Sequence, residues 1–456
     1  MIRAYKYSMR KVQLRQMRQR KTVWVLGALV LLLLGGALWW WASQKPPAIV
    51  IPPRQYPPNN AYDAYKQIAQ GMHDQWKQDD RLRRIESQLF SKHSIHLTVP
   101  EADKQYYLQR QRPFLEAYRQ YLDQPCKAVF EYDILWLMPE LAGFRTIARI
   151  EALLIGDALA AGREAEAIQR FHDLMRFSEQ IRTDGTLTHY LVGSRMIETG
   201  LQPIRQRLTQ FQSPKVFSAL VELAQKYDQS RAPLKDAIQN EYYCGLGTYR
   251  DIALRRIEMH DIESLMSEIN FSNNFERWLY ESGFGLRLTW GRSLAELQEY
   301  YKRVFTELEK PLWERKVPAP NFKQRTNEIL GQVWMLHVDL SANAELREVA
   351  TIRLLGCYAA VKRYQQQRGV YPPSLEALRP ELGEMIIDPF TGKPFVYRTH
   401  PKRGFQLYSV GENRVDDGGR LSADQRQGDL LPITENALPK AQRPAGNRLS
   451  APVWLR

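Results

Sequence analysis

The chain has 456 residues, 25% of them charged and 44% hydrophobic, with a formal net charge of +14. That length exceeds what one hydrophobic core commonly organises, so two or three domains or one elongated helical array are expected. The basicity does not mark a nucleic-acid-binding body: Arg3, Lys6, Arg10, Lys11, Arg15, Arg18, Arg20 and Lys21 stand in the first 21 residues without one acid, which leaves +6 for all the rest.

Residues 1–22 read as a basic tail and residues 23–43 as a transmembrane helix. The run from Val23 to Trp41 holds 19 residues and no charge, close to the roughly 20 that cross the hydrocarbon core as a helix. Cations massed before the run place the N-terminus in the cytoplasm and the body outside it, with Trp24 and Trp39 to Trp41 at the two interfaces. The tail would also attract anionic lipid. A cleaved signal peptide is the competing reading, since Gly35 and Ala37 are small enough to precede a cleavage site. The long basic region and the continuation of the apolar run past Ala37 favour the anchor.

Residues 44–60 form a proline-rich spacer, with Pro46-Pro47, Pro52-Pro53 and Pro57-Pro58 in close succession. Proline fixes φ and lacks an amide donor, so the segment is expected to be extended and stiff, holding the body off the bilayer. Asn59-Asn60 offers capping chemistry for a helix beginning near Ala61.

A helical body is expected over 61–343, with apolar residues three and four apart. The clearest unit is a helical hairpin of 144–160 and 163–181, broken at Ala161-Gly162. Further helices are expected near 61–90, 101–123, 189–209, 214–228, 232–268 and 293–309, with prolines such as Pro113 and Pro203 between them or in their first turns. The last long helix, 344–367, carries Leu346, Ala350, Leu354, Cys357, Val361 and Tyr364 as a seam that buries against the small domain after it. That domain, 344–430, changes character. Asp388-Pro389-Phe390-Thr391-Gly392-Lys393-Pro394 reads as a turn, and Phe395 to Arg398 with Phe405 to Val410 as a β-hairpin. Residues 431–456 read as a disordered tail. The fold class is thus mainly α: a single membrane helix, a spacer, a body of helical hairpins and a small α+β C-terminal domain.

Within 345–430 the segments Tyr364 to Pro372, Ser374-Leu375-Glu376-Ala377-Leu378, Asp388 to Tyr397, and Leu407-Tyr408-Ser409-Val410-Gly411 leading into Asp416-Asp417-Gly418-Gly419 occur in a specific order and spacing. In this the segment resembles the globular part of the major, G-type pseudopilins of type II secretion. The resemblance implies a calcium-binding loop after the last Ser-x-Gly. Here that loop carries Glu412, Asn413, Asp416, Asp417, Asp424 and Asp429, and Asp416, Asp417, Asp424 and Asp429 are the candidate ligands. Calcium takes six to eight oxygens, which such a loop can supply; a solvated acidic turn is the alternative. The loop has one residue more than the family pattern, and Asn413 stands at the family's acidic position. No Gly-Phe-Thr-x-x-x-Glu type start precedes Val23, and roughly 300 residues separate the anchor from this domain. The chain is therefore no pseudopilin itself; its layout resembles a group of uncharacterised bacterial single-pass envelope proteins.

Catalytic signatures are sparse. His93 and His96 are the only close histidine pair, with no further ligands beside them. Val192-Gly193-Ser194-Arg195 lacks the second glycine of a nucleophile elbow, and Ser8 with Lys11 lies in the basic tail. Gly245-Leu246-Gly247-Thr248 follows no strand and reads as a helix break. Glu299 with Glu307, and Asp79 with Asp80, read as solvated helix faces. Phe275, Trp278 and Tyr280 are an aromatic group whose helical spacing favours a core over a contact surface. Three cysteines, Cys126, Cys244 and Cys357, allow one disulfide or simply three small buried side chains. The expected function is a membrane-anchored, non-enzymatic interaction scaffold outside the cytoplasm, linked to secretion or pilus-like assembly. Inner-membrane lipid and an envelope protein are its expected partners, and nucleic acid is not. An envelope hydrolase with dispersed catalytic groups is the alternative.

Overall fold

The computed structural model describes residues 23–40, 43, 49–90, 99–133, 136–253, 256, 284–316, 338–422, 428–434, 437, 450 and 452–455. The chain divides into two compact units: Met1–Val50, Thr248–Gln298 and Phe322–Val333 make the first, and Ile51–Gly247, Glu299–Asn321 and Trp334–Arg456 the second.

In the first unit Val23–Trp40 is one helix, α1, with none of its residues buried. Eighteen residues at 1.5 Å each give roughly 27 Å, close to the hydrocarbon thickness. It is long and apolar enough to cross a membrane. Tail residues 1–22 lie outside the described residues.

The second unit is mainly helical: α2 Ala61–Gln78, α3 Asp80–Leu89, α4 Glu101–Arg119, α5 Glu140–Ala160, α6 Glu164–Arg182, α7 Leu187–Arg207, α8 Pro214–Ser230 and α11 Val338–Arg368. Helices α9 Leu234–Ala253 and α10 Phe284–Leu308 each begin in one unit and end in the other. The hairpin expected from the sequence is α5 with α6, turned through Gly162 at φ +71. A single helix over 61–90 is not formed: the chain breaks at Asp79, whose carboxylate accepts the amide of Leu82 and so caps α3. Pro113 and Pro203 lie inside α4 and α7 and do not punctuate them. Each sacrifices one helical hydrogen bond, which the packed surroundings tolerate.

Two buried clusters fill this unit. The first takes Tyr62, Tyr65, Leu82, Tyr118, Phe144 and Phe177 from α2 to α6. The second runs from Ile155 and Phe171 through Phe217, Leu354 and Tyr358 to Phe405 and Leu455. The expected boundary at 343/344 therefore does not separate two cores. α11 packs on α7 and α8, and also against the 3-10 turn Gly383–Ile386 and strand β2. Its seam is buried as expected from Leu346 to Val361, with Tyr364 half-buried, but Ile352, Leu355, Ala359 and Ala360 are buried too, so the middle of the helix, 349–362, is covered all round.

The small antiparallel sheet pairs β1 Val396–His400 with β2 Gly404–Tyr408, in register Val396 to Tyr408. Asp388 fastens the turn before it, accepting the amide of Phe390 on one oxygen and that of Val410 on the other. Part of the tail expected to be disordered is packed: most of its described residues are buried or half-buried. Leu431, Ile433, Val453 and Leu455 are buried, and Leu455 exchanges both backbone hydrogen bonds with Phe405. Those four apolar side chains are too dispersed among polar residues to produce a periodic signal.

Candidate functional site

α6, α7, α8 and α11 meet around charged side chains. Arg182, at the last turn of α6, has no exposed side-chain surface. It donates to both oxygens of Glu348 at 2.8 and 2.6 Å, to Glu179 at 3.0 Å and to the Ser194 hydroxyl at 2.8 Å. Tyr227 adds a third donor to Glu348 at 2.5 Å. Gly193 makes room, since a Cβ there would meet the Arg182 side chain at 2.7 Å. Burial pushes the Glu348 carboxyl up, but Arg182 and its hydroxyl donors outweigh this and hold it below the ordinary carboxylate range. It is therefore ionised, and its partners saturate it.

Over Glu348 opens a cavity of 390 Å³. Leu191, Ser194, Ile197, Glu198, Leu201 and Arg205 of α7 form one wall, and Ala344, Arg347, Thr351 and Ile352 of α11 another. Phe390, Gly411, Glu412, Leu421, Asp429, Leu430 and Ile433 from the C-terminal segment close it. Arg347 pairs with Glu412 at 2.5 Å and Arg195 with Glu198 at 2.5 Å. Arg205 differs from these. It donates from Nε to the carbonyl of Pro432 and from Nη2 to those of Leu431 and Ile433, and among the described residues it forms no ion pair. Burial, only partly opposed by Glu198, lowers its pKa to about 10, so it keeps its proton at neutral pH. No histidine, cysteine or tyrosine stands among the described residues that line the cavity.

A second polar cluster lies where the spacer meets α2 and α7. His189 occupies the third position of α7, and its Nδ1 accepts the Thr186 amide at 3.2 Å, completing a capping box. That bond leaves the proton on Nε2, 2.8 Å from the Tyr62 hydroxyl, which in turn donates to Glu140 at 3.1 Å. Burial first, and then the charge of Arg54, lower the His189 pKa to about 3, so the ring is neutral. Arg54 itself comes from the spacer. Its guanidinium stacks 3.8 Å over Phe130 and donates to the carbonyls of Ala128 and Asp184 at 2.8 and 2.9 Å. The spacer is thus latched to the body at Arg54 and is not free along its whole length. Asn60 does not cap α2; its side chain pairs with both backbone groups of Lys127.

The acidic loop implied by the pseudopilin resemblance is organised by protein donors. One Asp429 oxygen accepts the amides of Gly419 and Arg420 and the other that of Asp417. Asp416 accepts from Arg398, Tyr408 and the amide of Gly418, and Asp417 from Asn413. Glu412 turns to Arg347. Asp424 lies outside the described residues. Among the described residues no three carboxylate, histidine or cysteine side chains converge as metal ligands, and the carboxylates of Asp416, Asp417 and Asp429 each accept protein donors. Burial raises the Asp429 pKa to about 6 against its three amide bonds.

The other sequence candidates scatter. His93, His96, Phe275, Trp278, Tyr280, Ser8 and Lys11 lie outside the described residues. Asp79 caps α3 and Asp80 pairs with Arg83; Glu299 pairs with Arg303 and Glu307 with Lys310. Gly245 and Gly247 do not break a helix but lie within α9, where a Cβ on Gly247 would collide with the Tyr132 carbonyl. The three cysteines form no disulfide with one another, and burial pushes the Cys126 and Cys357 thiols up to about 12. The residues that sequence reasoning missed are Arg182, Arg205, Arg347 and Glu348. Their one signal is a charge set among apolar helix positions, as Glu348 is between Leu346 and Ala350. No protein-family model, curated protein or solved structure matches the chain.

Proposed function

We propose that the chain is a membrane-tethered, non-enzymatic binding protein. In this reading α1 lies in the inner membrane, residues 1–22 face the cytoplasm, and the body outside acts as an interaction scaffold. Its pseudopilin-like C-terminal segment would link it to type II secretion or a pilus-like assembly. The observation that carries the binding role is the cavity between α7 and α11. It is recessed and largely apolar, within the range of ligand pockets. Among the described residues its carboxylates are held by arginines or, at Asp429, by backbone amides, and Arg205 forms no ion pair. A general acid–base pair needs groups that titrate near the working pH and reach each other. Glu348, the carboxylate on its floor, is instead held ionised by Arg182, and Asp429, raised to about 6, is turned to three backbone amides with no titrating partner among the described residues that line the cavity.

The fully exposed apolar surface of α1 supports the tether, and the cations ahead of it support the orientation. Two measurements test the reading. Protease added outside intact cells stripped of their outer layers should digest the body and spare the basic tail; protection of the body would reverse the topology. A photo-crosslinking residue in place of Leu191, which is 40% exposed at the cavity mouth, should capture one reproducible protein from membranes. Repeated capture of nothing above background would remove the scaffold role.

A further inference from the structure

We infer that the cavity between α7 and α11 receives the C-terminal end of a partner polypeptide, with its terminal carboxylate on Arg205 and its last apolar side chain against Leu201, Ile352 and Phe390. The inference rests on the binding role proposed above and names the ligand class. Glu348 is held by Arg182, Glu412 by Arg347 and Glu198 by Arg195, while Asp429 is held by three backbone amides. Arg205 is the wall cation left without an anion among the described residues.

Its donor accounting agrees. A guanidinium has five N–H groups in a fixed fork. Nε–H and both hydrogens of Nη2 are spent on three carbonyls, and the Nη1 pair has no acceptor among the described residues. Three carbonyl bonds hold the group in place, so Nη1 is pre-ordered to donate a charge-assisted hydrogen bond to an anionic oxygen such as that of a carboxylate.

Shape and polarity select the bearer of that carboxylate. At ~30 Å³ per water, 390 Å³ holds about a dozen waters. That excludes a helix, which is about 10 Å across with its side chains, and suits the last two or three residues of an extended chain. A simple alkyl carboxylate would want apolar walls throughout. Here Thr434, whose buried hydroxyl has no hydrogen-bond partner among the described residues, stands among Leu201, Ile352 and Phe390, which suits a chain that alternates amides with apolar side chains. Capture of a terminal carboxylate is an established mode of peptide recognition.

The test uses the full chain in lipid nanodiscs and a pool of acetylated hexapeptides, random except for a final Leu, Val or Phe, offered as free acids and as C-terminal amides. Free acids should be retained about tenfold or more over amides, the ratio that one charge-assisted hydrogen bond supplies. Arg205→Met should abolish the preference. Because Arg205 also holds the 431–433 backbone, Leu191→Glu serves as a second variant: it alters an exposed mouth residue and should weaken free-acid retention by repulsion while leaving the melting curve unchanged. Equal retention of acids and amides, both displaced by Leu191→Glu, would overturn the carboxylate assignment and leave the cavity a binding site. Octanoate competing as well as the free-acid pool would assign the site to small carboxylates and overturn the peptide. Retention of neither form would overturn the inference, while the crosslinking experiment separately judges the scaffold role.

Discussion

The polar clusters around Arg182 and around His189 are both buried, and they are built on opposite electrostatic principles. The Arg182 cluster is charged: a guanidinium and carboxylates from α6 and α11 compensate each other, and two polar atoms, Arg182 Nε and the Tyr190 hydroxyl, have no hydrogen-bond partner among the described residues. The His189 cluster places a neutral imidazole between Thr186, whose amide and hydroxyl both reach Nδ1, and the Tyr62 hydroxyl at Nε2. A charged network is costly when one member is lost and favourable only when whole. A neutral chain loses one hydrogen bond at a time. The first therefore specifies how helices dock and borders the cavity, whereas the second locks the start of α7 and the spacer beside it.

Arg182→Met should show the largest effect, because it leaves Glu348 buried with only Tyr227 and Ser194 to compensate it. A loss of about 3–5 kcal/mol in urea unfolding is expected, and the double variant Arg182→Met with Glu348→Leu should recover most of it. If the single variant unfolds like the parent, the charged cluster does not hold the helices together.

The His189 cluster predicts a pH dependence. Its folded pKa of about 3 lies below the ordinary 6.5, so below pH 6.5 the unfolded chain binds a proton that the folded chain refuses. Stability from this group is present in full above pH 6.5 and falls as pH drops toward 3, by up to ~1.4 kcal/mol per pH unit. His189→Gln should flatten that slope in unfolding curves taken from pH 7 to pH 4; an unchanged slope would show that the ring is not buried neutral.

Arg54→Ala should cost about 1–3 kcal/mol through lost charge-assisted hydrogen bonds and the stack on Phe130. It should also expose the segment before Asn60 to limited proteolysis, with unaltered cleavage arguing that the spacer is not latched. The smallest effect concerns the acidic loop. Removing divalent cations with a chelator should leave the melting temperature unchanged, because Asp416 and Asp429 already accept protein donors. A fall on chelation, reversed by calcium, would restore the calcium site.

Local chemistry was visible in the sequence wherever it was periodic or uncharged over a long run. The length and apolar character of α1, the α5–α6 hairpin, the α11 seam and the C-terminal β-hairpin all follow from spacing that one element imposes on itself. The cavity was not visible, because Arg205 and Arg347 lie on different helices, and nothing in either helix reveals that they will line the same space. The same holds for Glu348, which reads as a surface charge until Arg182 arrives from α6. Arg54 reads as a residue of a stiff linker until Phe130 and the Ala128 carbonyl are seen to receive it. The sequence by itself determined an apolar span, a mainly helical chain and a small terminal hairpin, since these rest on backbone periodicity and transfer of apolar side chains from water. Only the tertiary structure decided which charges are paired, that Arg205 has no ion-pair partner among the described residues and that Leu431, Ile433, Val453 and Leu455 join the main core. Long-range ion pairs and core contacts depend on which elements meet, and no local pattern encodes that.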